Sequence, residues 1–228
     1  MAAALTKADK AAILAELDRL YPDARPELNF SNPYEVLVAT MLSAQCTDVQ
    51  VNKVTPAVFE KFPTVASMAE TPVDVLFPMV KSCGFKSKAG NIIASCQQIM
   101  ANHQGEVPDT MEALTALPGV GRKTANVVLA NAYHIPTLAV DTHVFRVGNR
   151  IGLAKASTVE RTEEQLKKAI PQNRWIDAHH QLIYHGRRVC KAQRPLCSTC
   201  TLAPWCRYLR SNPAPAPAAR GKKESPAP

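Results

Sequence analysis

One group of residues in this chain that could bind a ligand or take part in a reaction is a double-glycine turn, followed directly by two basic side chains. Gly119 and Gly121 stand at positions i and i+2, and Arg122 and Lys123 come directly after them. Glycines at this spacing allow positive φ angles and a close approach of the backbone to a partner. An apolar helix is predicted for residues 124–132, and unpaired N–H groups at a helix start bind anions. Because no Walker-type run and no predicted strand accompanies the turn, we predict a clamp on a DNA backbone phosphate. The alternative is an ordinary turn between helices.

A second candidate site is a cluster of four cysteines within 17 residues, Cys190, Cys197, Cys200 and Cys206. Structural zinc sites usually bring together two C-x2-C pairs from separate segments, whereas only one such pair is present here. The wider C-x6-C-x2-C-x5-C spacing favours a [4Fe-4S] cluster, which takes four cysteine ligands. Zinc, or four unrelated buried thiols, are the alternatives.

Basic side chains surround the cysteines. Arg187, Arg188 and Lys191 flank the first of them, and no acidic residue lies between Gln181 and Arg210. We predict that they contact phosphates, the alternative being a solvated charged face. The whole chain has a formal net charge of +8 and a pI of about 9.2, as expected of a protein that binds a polyanion.

The composition also limits the class of protein. Seven cysteines, an odd number, do not fit a secreted disulfide scaffold, so we expect a reducing compartment. The apolar start is only a few residues long, and no run approaches the ~20 apolar residues of a membrane span. We therefore expect no signal peptide and no membrane partner.

The elements that must position these residues are helices. Thr6 and Asp9 form a capping-box pattern, Asn32 precedes a proline at a helix start, and Asp141 opens a helix that runs to Arg150. Further helices are predicted for residues 157–170 and 175–189. No alternating run is long enough to indicate a strand, so the predicted fold class is all-α. The proline-rich residues 211–228 are predicted to be a disordered tail.

Three motifs in this order resemble the endonuclease III family of DNA glycosylases. They are the glycine turn with its Arg-Lys pair, the run Val140-Asp141-Thr142-His143-Val144-x-Arg146, and the four cysteines. The resemblance extends from about Leu28 to Tyr208. It implies a helix-hairpin-helix glycosylase of two helical lobes. One is a six-helix barrel over residues 24–136, and the other is an iron-sulfur lobe made of residues 1–23 and 137–210. DNA would bind across the cleft between the lobes.

The same resemblance implies that Lys123 and Asp141 are catalytic. An enzyme that removes a base and also cuts the strand needs an amine to attack C1′ and form a Schiff base. Lys123, beside Arg122 at the positive end of a helix, lies where the uncharged amine is favoured. Asp141 would accept a proton or stabilise positive charge that develops on the sugar.

By resemblance, Gln45 would fill the gap left by the flipped nucleotide, and Phe85 would wedge the opposite strand. The expected partner is double-stranded DNA with damaged pyrimidines or abasic sites, bound by a monomer in the bacterial cytoplasm, at the nucleoid. Two alternatives remain. Adenine-mismatch glycosylases share the cluster and the aspartate but lack this lysine, and a non-catalytic iron-sulfur module would only grip phosphate.

Overall fold

The computed structural model describes residues 4–212, and every α-helix and 3-10 turn in that range fits the predicted all-α fold class, with no strand among these residues. No helix in the range is long and apolar enough to cross a membrane. Short 3-10 turns lie at Lys81–Cys83, Gln172–Arg174 and Cys197–Thr199. The α-helices of the described range are α1 Lys7–Leu20, α2 Pro33–Ser43, α3 Asp48–Lys61, α4 Val65–Ala69, α5 Val73–Val80, α6 Lys86–Asn102, α7 Met111–Thr115, α8 Arg122–Tyr133, α9 Thr142–Ile151, α10 Val159–Ala169, α11 Trp175–Arg188 and α12 Arg207–Ser211.

Side-chain caps define where the early helices begin. At α1 the predicted capping box is present: the Thr6 hydroxyl accepts from Asp9 N at 3.1 Å, and Asp9 Oδ2 accepts from Thr6 N at 2.8 Å. At α2 the Asn32 side chain accepts from Glu35 N at 3.0 Å, directly ahead of Pro33. Each cap satisfies an amide that has no partner within its helix, which fixes the first turn.

Two separate hydrophobic clusters hold the helices together. The first gathers apolar side chains from residues 34–129, and the second joins α1 to residues 138–202. The beginning of the chain therefore packs on helices that come much later, with α1 against α11. The predicted lobe limits, 24–136 and 1–23 with 137–210, enclose these two clusters and stay predictions.

The turn between α7 and α8 uses its two glycines differently. Gly119 has a φ of +74°, and a Cβ there would lie 2.8 Å from Asn91 Nδ2 on α6. The Ser95 hydroxyl, also on α6, donates to the Pro118 carbonyl at 2.7 Å and anchors the turn. Gly121 has a φ of −90°, and a Cβ there would meet nothing within 4 Å. Of the two glycines, only Gly119 therefore uses the positive φ that glycine allows, while Gly121 is the N-cap of α8.

Two expectations need adjustment. Helix α8 begins at Arg122, two residues before the predicted start at Thr124, so Arg122 and Lys123 are its first two residues. The predicted tail starts at Ser211, which is the last residue of α12. The rest of the tail prediction, for residues 213–228, lies outside the residues that the structure describes.

Candidate active site

A cleft of about 150 Å³ lies where the two hydrophobic clusters meet, and it contains both predicted catalytic residues. Lys123 enters it from α8 and Asp141 from the start of α9. The end of α2 and the middle of α11 complete the walls. Helix α2 packs on α8, and α9 packs on α11, so each catalytic candidate sits at the start of a helix whose body is well packed. The fold thereby brings residues from both clusters to one site.

Lys123 is the second residue of α8, and its side chain is exposed. No side chain caps this helix, since its N-cap is Gly121. The first amides of α8 are consequently open to an outside acceptor, and the partial positive charge at a helix start favours an anion. An anion-binding helix start and an exposed amine thus lie next to each other at the cleft.

Asp141 is the N-cap of α9 and is half-buried in the wall of the cleft. Its Oδ1 atom accepts a hydrogen bond from Val144 N at 2.7 Å. This bond fixes the orientation of the carboxylate and leaves Oδ2 for the cleft. Asp141 can therefore cap α9 and also serve in the predicted catalytic role.

Two neighbouring histidines of α11, His179 and His180, also line the cleft. None of the sequence motifs described above includes them, so their location comes from the structure. His179 Nδ1 lies 2.8 Å from the Ala139 carbonyl, which favours the tautomer with a proton on Nδ1. Both side chains are buried, and burial lowers the pKa of His180 to about 3.

Burial also lowers the pKa of His179. The nearby Asp141 carboxylate partly opposes this shift, and the positive charge of Lys123 adds to it. Both imidazoles are uncharged near neutral pH, so they add no positive charge beside Lys123. The sequence signal that points to them is a run of three polar residues, 179–181, in the middle of a helix that packs on its neighbours.

Arg122 is paired with an acidic residue of the second cluster. Its Nε and Nη2 atoms donate to Glu163 Oε2 and Oε1 at 3.0 and 2.8 Å. Glu163, on α10, has a side chain only 5% exposed and also accepts from Lys167 Nζ at 2.6 Å. The structure therefore places Arg122 in a contact between α8 and α10, with part of its side chain still open to solvent.

Arg187 lies in the wall of the catalytic cleft. Its guanidinium pairs with Glu27, and Nη2 donates to Asp48 Oδ2 at 2.9 Å. Both carboxylates come from distant parts of the sequence, which explains why the segment around the cysteines seemed free of acidic partners. Arg187 thereby connects α11 to α3 and to the segment that precedes α2.

Gln45 and Phe85 lie on two exposed loops. Gln45 has a φ of +59° and follows Ala44, whose φ and ψ are −58° and 109°. With Cys46 N donating to Ser43 O at 3.0 Å, these values describe a type II turn with glutamine at the position that favours glycine. Phe85 is 82% exposed for a large apolar ring. A strained turn and an exposed aromatic ring are features that occur at functional sites.

The four predicted ligand cysteines surround a small, largely apolar cavity beside His185 and Arg150. None of them forms a disulfide. Within the described range, no group of three or more His, Cys, Asp or Glu side chains is placed to hold a single metal ion. The four thiols line one small cavity, which is consistent with the predicted iron-sulfur cluster.

The surroundings of two of these thiols favour their uncharged form. Burial raises the pKa of the Cys200 and Cys206 thiols, and the neighbouring cysteines raise it further. A positively charged metal group bound among them would favour the thiolates. Arg150 lies close by, with Nη1 3.7 Å from Cys190 Sγ. The donor set therefore suits a metal-containing group that accepts four thiolates.

Arg188 and Lys191 lie at the start of this cysteine segment. The Arg188 guanidinium stacks on the Tyr184 ring at 4.5 Å, and Lys191 is exposed. The Lys191 carbonyl accepts from Arg150 Nη1 at 2.7 Å, which holds the backbone of the segment against α9. Their predicted contacts with phosphate stay predictions.

Comparison with known proteins identifies the family. Residues 38–172 match the family model of the HhH-GPD superfamily base excision DNA repair proteins. Endonuclease III of Escherichia coli K12 is 47% identical over 205 residues, which cover 90% of this chain and 97% of the relative. Endonuclease III of a Synechocystis species is 48% identical over 196 residues, which cover 85% and 90%.

The structural comparisons agree. A non-covalent endonuclease III–DNA complex superposes with a TM-score of 0.86 and 44% identity, covering 91% of this chain and 98% of the other. A trapped covalent endonuclease III–DNA intermediate gives the same values. A thermostable thymine-DNA glycosylase, with a TM-score of 0.79 but 20% identity, shares the fold. The chain belongs to the endonuclease III family within the HhH-GPD superfamily of base excision DNA repair proteins.

Proposed function

We propose that this chain is a bifunctional DNA glycosylase and AP lyase that removes oxidised pyrimidines in base excision repair. One observation carries this proposal: Lys123 and Asp141 line a single cleft, at the starts of two helices that pack into different hydrophobic clusters. The relatives called endonuclease III, and the relative trapped in a covalent DNA intermediate, support it.

In the proposed reaction the uncharged Lys123 Nζ attacks C1′ of the damaged nucleotide. The base leaves with the electron pair of the glycosidic bond, and the amine forms a Schiff base with the opened sugar. Loss of a proton from C2′ then expels the 3′ phosphate by β-elimination, which cuts the strand. Asp141, held by its bond to Val144 N, accepts a proton or stabilises positive charge on the sugar.

The DNA is proposed to lie across the cleft. The glycine turn at Gly119 and Gly121, together with the open first amides of α8, would bind a backbone phosphate, and the exposed part of Arg122 would contribute charge. Gln45 would enter the gap left by the flipped nucleotide, and Phe85 would wedge the opposite strand. Phosphate contacts are also proposed for the basic side chains near the cysteines, Arg187, Arg188 and Lys191.

Cys190, Cys197, Cys200 and Cys206 are proposed to hold a [4Fe-4S] cluster, because the four thiols surround one cavity and their spacing favours four cysteine ligands to one cluster. Bound there, the cluster would cross-link the segment after α11 and fix its basic side chains. The proposed partner is double-stranded DNA with damaged pyrimidines or abasic sites. We propose a monomer that acts in the bacterial cytoplasm, at the nucleoid, as its relatives are bacterial proteins.

The test is a set of duplexes that each carry one lesion, with separate assays for released base and for strand cleavage. The proposal predicts that oxidised pyrimidines are released and that the strand is cut without added base or heat. Release of adenine from a mismatch without strand cleavage would favour an adenine-mismatch glycosylase. Binding without release of any base would favour a non-catalytic module.

A further inference from the structure

One ammonium group joins the two loops that carry Gln45 and Phe85. Lys88 lies in the first turn of α6, and its Nζ atom donates to three backbone carbonyls: Leu42 at 2.9 Å, Ala44 at 2.7 Å and Cys83 at 2.5 Å. Leu42 lies in the last turn of α2 and Ala44 in the turn that follows it, whereas Cys83 ends the 3-10 turn before α6. An ammonium group has three N–H donors, so all three are used in this contact.

The three carbonyls lie next to the residues that are proposed to enter the DNA. Ala44 directly precedes Gln45, and Cys83 is two residues before Phe85. Gly84, between Cys83 and Phe85, has a φ of +146°, and a Cβ there would lie 3.0 Å from Lys88 Nζ and Cε. Glycine is therefore needed both for the backbone angle and for the close approach of the lysine.

The other polar contacts with the loop before α6 are weaker. Gln50 Nε2, on α3, donates to Ser82 Oγ at 2.9 Å, and the Cys46 thiol, in the turn after α2, lies 4.0 Å from the Ser82 carbonyl. Both involve neutral groups, and the second is long. A hydrogen bond from a charged donor is worth roughly twice a neutral one, so Lys88 is the main connection between the loops.

We propose that Lys88 is a positioning residue that holds the Ser43–Cys46 turn and the Lys81–Phe85 loop at a fixed separation, so that Gln45 and Phe85 enter the duplex together. This inference rests on the proposed function, because it assigns both side chains to the opened duplex. Lys88 itself needs no contact with the reacting atoms.

The mechanism makes a selective prediction. Extrusion of a paired nucleotide costs a few kcal/mol of unpairing and unstacking, which inserted side chains must offset. A lesion that is already unpaired avoids most of this cost. Loss of the Lys88 ammonium should consequently slow excision of a paired lesion and leave excision from an unpaired bubble nearly unchanged, since Lys123 and Asp141 are untouched.

The experiment compares Lys88→Met with the native protein under single-turnover conditions, on the same oxidised pyrimidine in a fully paired duplex and in a bubble of unpaired bases. We expect a loss of about tenfold or more on the paired substrate, in line with the effect of misplacing contact groups by about 1 Å, and less than about twofold in the bubble. A fluorescent base analogue beside the lesion should also show a smaller rise on binding.

Two further variants distinguish the loss of the Lys88 contacts from a general loss of positive charge and from a failure to fold. Lys86→Met, on the same helix, removes an equal charge from an exposed pair with Asp74 and should keep the native ratio of the two rates. Lys88→Arg keeps the charge and covers the carbonyls, so it should fold. Its planar fork cannot direct donors to three converging carbonyls, and it should show the same selective loss to a smaller extent.

Equal losses on both substrates for Lys88→Met and Lys88→Arg would overturn the inference, and so would native rates in both variants. Should Lys88→Met fail to fold, as judged by thermal unfolding, Lys88→Arg decides the question. If the native protein releases no base from either duplex, the proposed function fails instead. The two failures are therefore distinguishable.

Discussion

Arg122 and Glu163 are joined by two nearly parallel hydrogen bonds, of 3.0 and 2.8 Å, that connect the first turn of α8 to α10. Lys123 is the next residue after Arg122, so this ion pair fixes the backbone that carries the proposed nucleophile. Glu163 is 5% exposed, whereas the Arg122 side chain is 58% exposed. The pair therefore contacts both the protein interior and the surface that is proposed to face DNA.

Replacement of Glu163 by glutamine should lower stability at neutral pH by about 2 kcal/mol, because Arg122 and Lys167 lose a charged acceptor. Burial tends to raise the pKa of Glu163, but the hydrogen bonds from Arg122 and Lys167 outweigh it and hold the pKa below its ordinary value. A lowered pKa in the folded state means that the contribution is present above the unfolded value and is lost as the pH falls through the folded value.

Urea unfolding at several pH values measures this effect. The difference between the native protein and Glu163→Gln should be constant near neutrality and shrink at pH values below about 4.5. Glu164→Gln, at the exposed neighbouring position, is the matched control and should change stability little. A difference that does not depend on pH would contradict the assignment.

The two glycines of the turn should respond differently to alanine. At Gly119, with a φ of +74° and Asn91 in the way, alanine should destabilise the free protein by about 1–2 kcal/mol. At Gly121, alanine fits the free protein, since its Cβ meets nothing within 4 Å. It should nevertheless weaken DNA binding, because the methyl group would lie between the amides of α8 and a phosphate.

Thermal unfolding and DNA binding, measured on both glycine variants, separate these effects. The Gly121→Ala variant is the informative one, as it tests the approach of DNA without disturbing the fold. If it binds DNA as tightly as the native protein, the proposed clamp at the start of α8 is wrong.

Gln45 should show an exchange of stability for function. A left-handed φ destabilises the folded state by about 1–2 kcal/mol for a residue with a side chain. Glycine avoids this cost, but its greater backbone freedom in the unfolded state offsets part of the gain. Gln45→Gly should therefore be as stable as the native protein or more stable by up to about 1 kcal/mol. Its excision of a paired lesion should fall by about tenfold or more, since no side chain enters the gap.

The control for this change is Gln45→Ala, which removes the side chain but keeps the strained backbone angle. It should lose activity without any gain in stability. Full activity of Gln45→Gly on a paired lesion would remove Gln45 from its proposed role.

The cysteine site predicts a definite metal content. The purified protein should contain about four iron atoms and four acid-labile sulfides per chain, and Cys200→Ala should lose them. Cys96→Ala is the control, because Cys96 is a buried thiol of the other hydrophobic cluster, where burial raises its pKa to about 12. Zinc in place of iron, or iron that persists in Cys200→Ala, would contradict the cluster assignment.

Several features could be predicted from the sequence because their causes are local. Helix starts depend on the cap and the next few residues, which is why the Thr6 box, Asn32 and Asp141 were identified correctly. The all-α class follows from the spacing of apolar residues. The family motifs led to Lys123 and Asp141, and the structure places both in one cleft.

Other features could not be predicted because they depend on contacts between distant residues. The partners of Arg122 and Arg187 come from Glu163, Glu27 and Asp48, far away in the sequence. The three carbonyls that surround Lys88 lie in the last turn of α2, in the turn after it and in the 3-10 turn before α6, and nothing in the sequence near Lys88 indicates them. For the same reason, the polar run 179–181 marks an unusual stretch of α11 but does not indicate that His179 faces the cleft.

The central claim, that Lys123 is the amine that attacks the sugar, is tested most directly by borohydride trapping on abasic-site DNA. The native protein should form a covalent adduct, because borohydride reduces the Schiff base to a stable amine. Lys123→Ala should form none, while Lys155→Ala, at an exposed position outside the cleft, should trap as well as the native protein. An adduct that persists in Lys123→Ala would contradict the claim, and no adduct in the native protein would favour a module that only binds DNA.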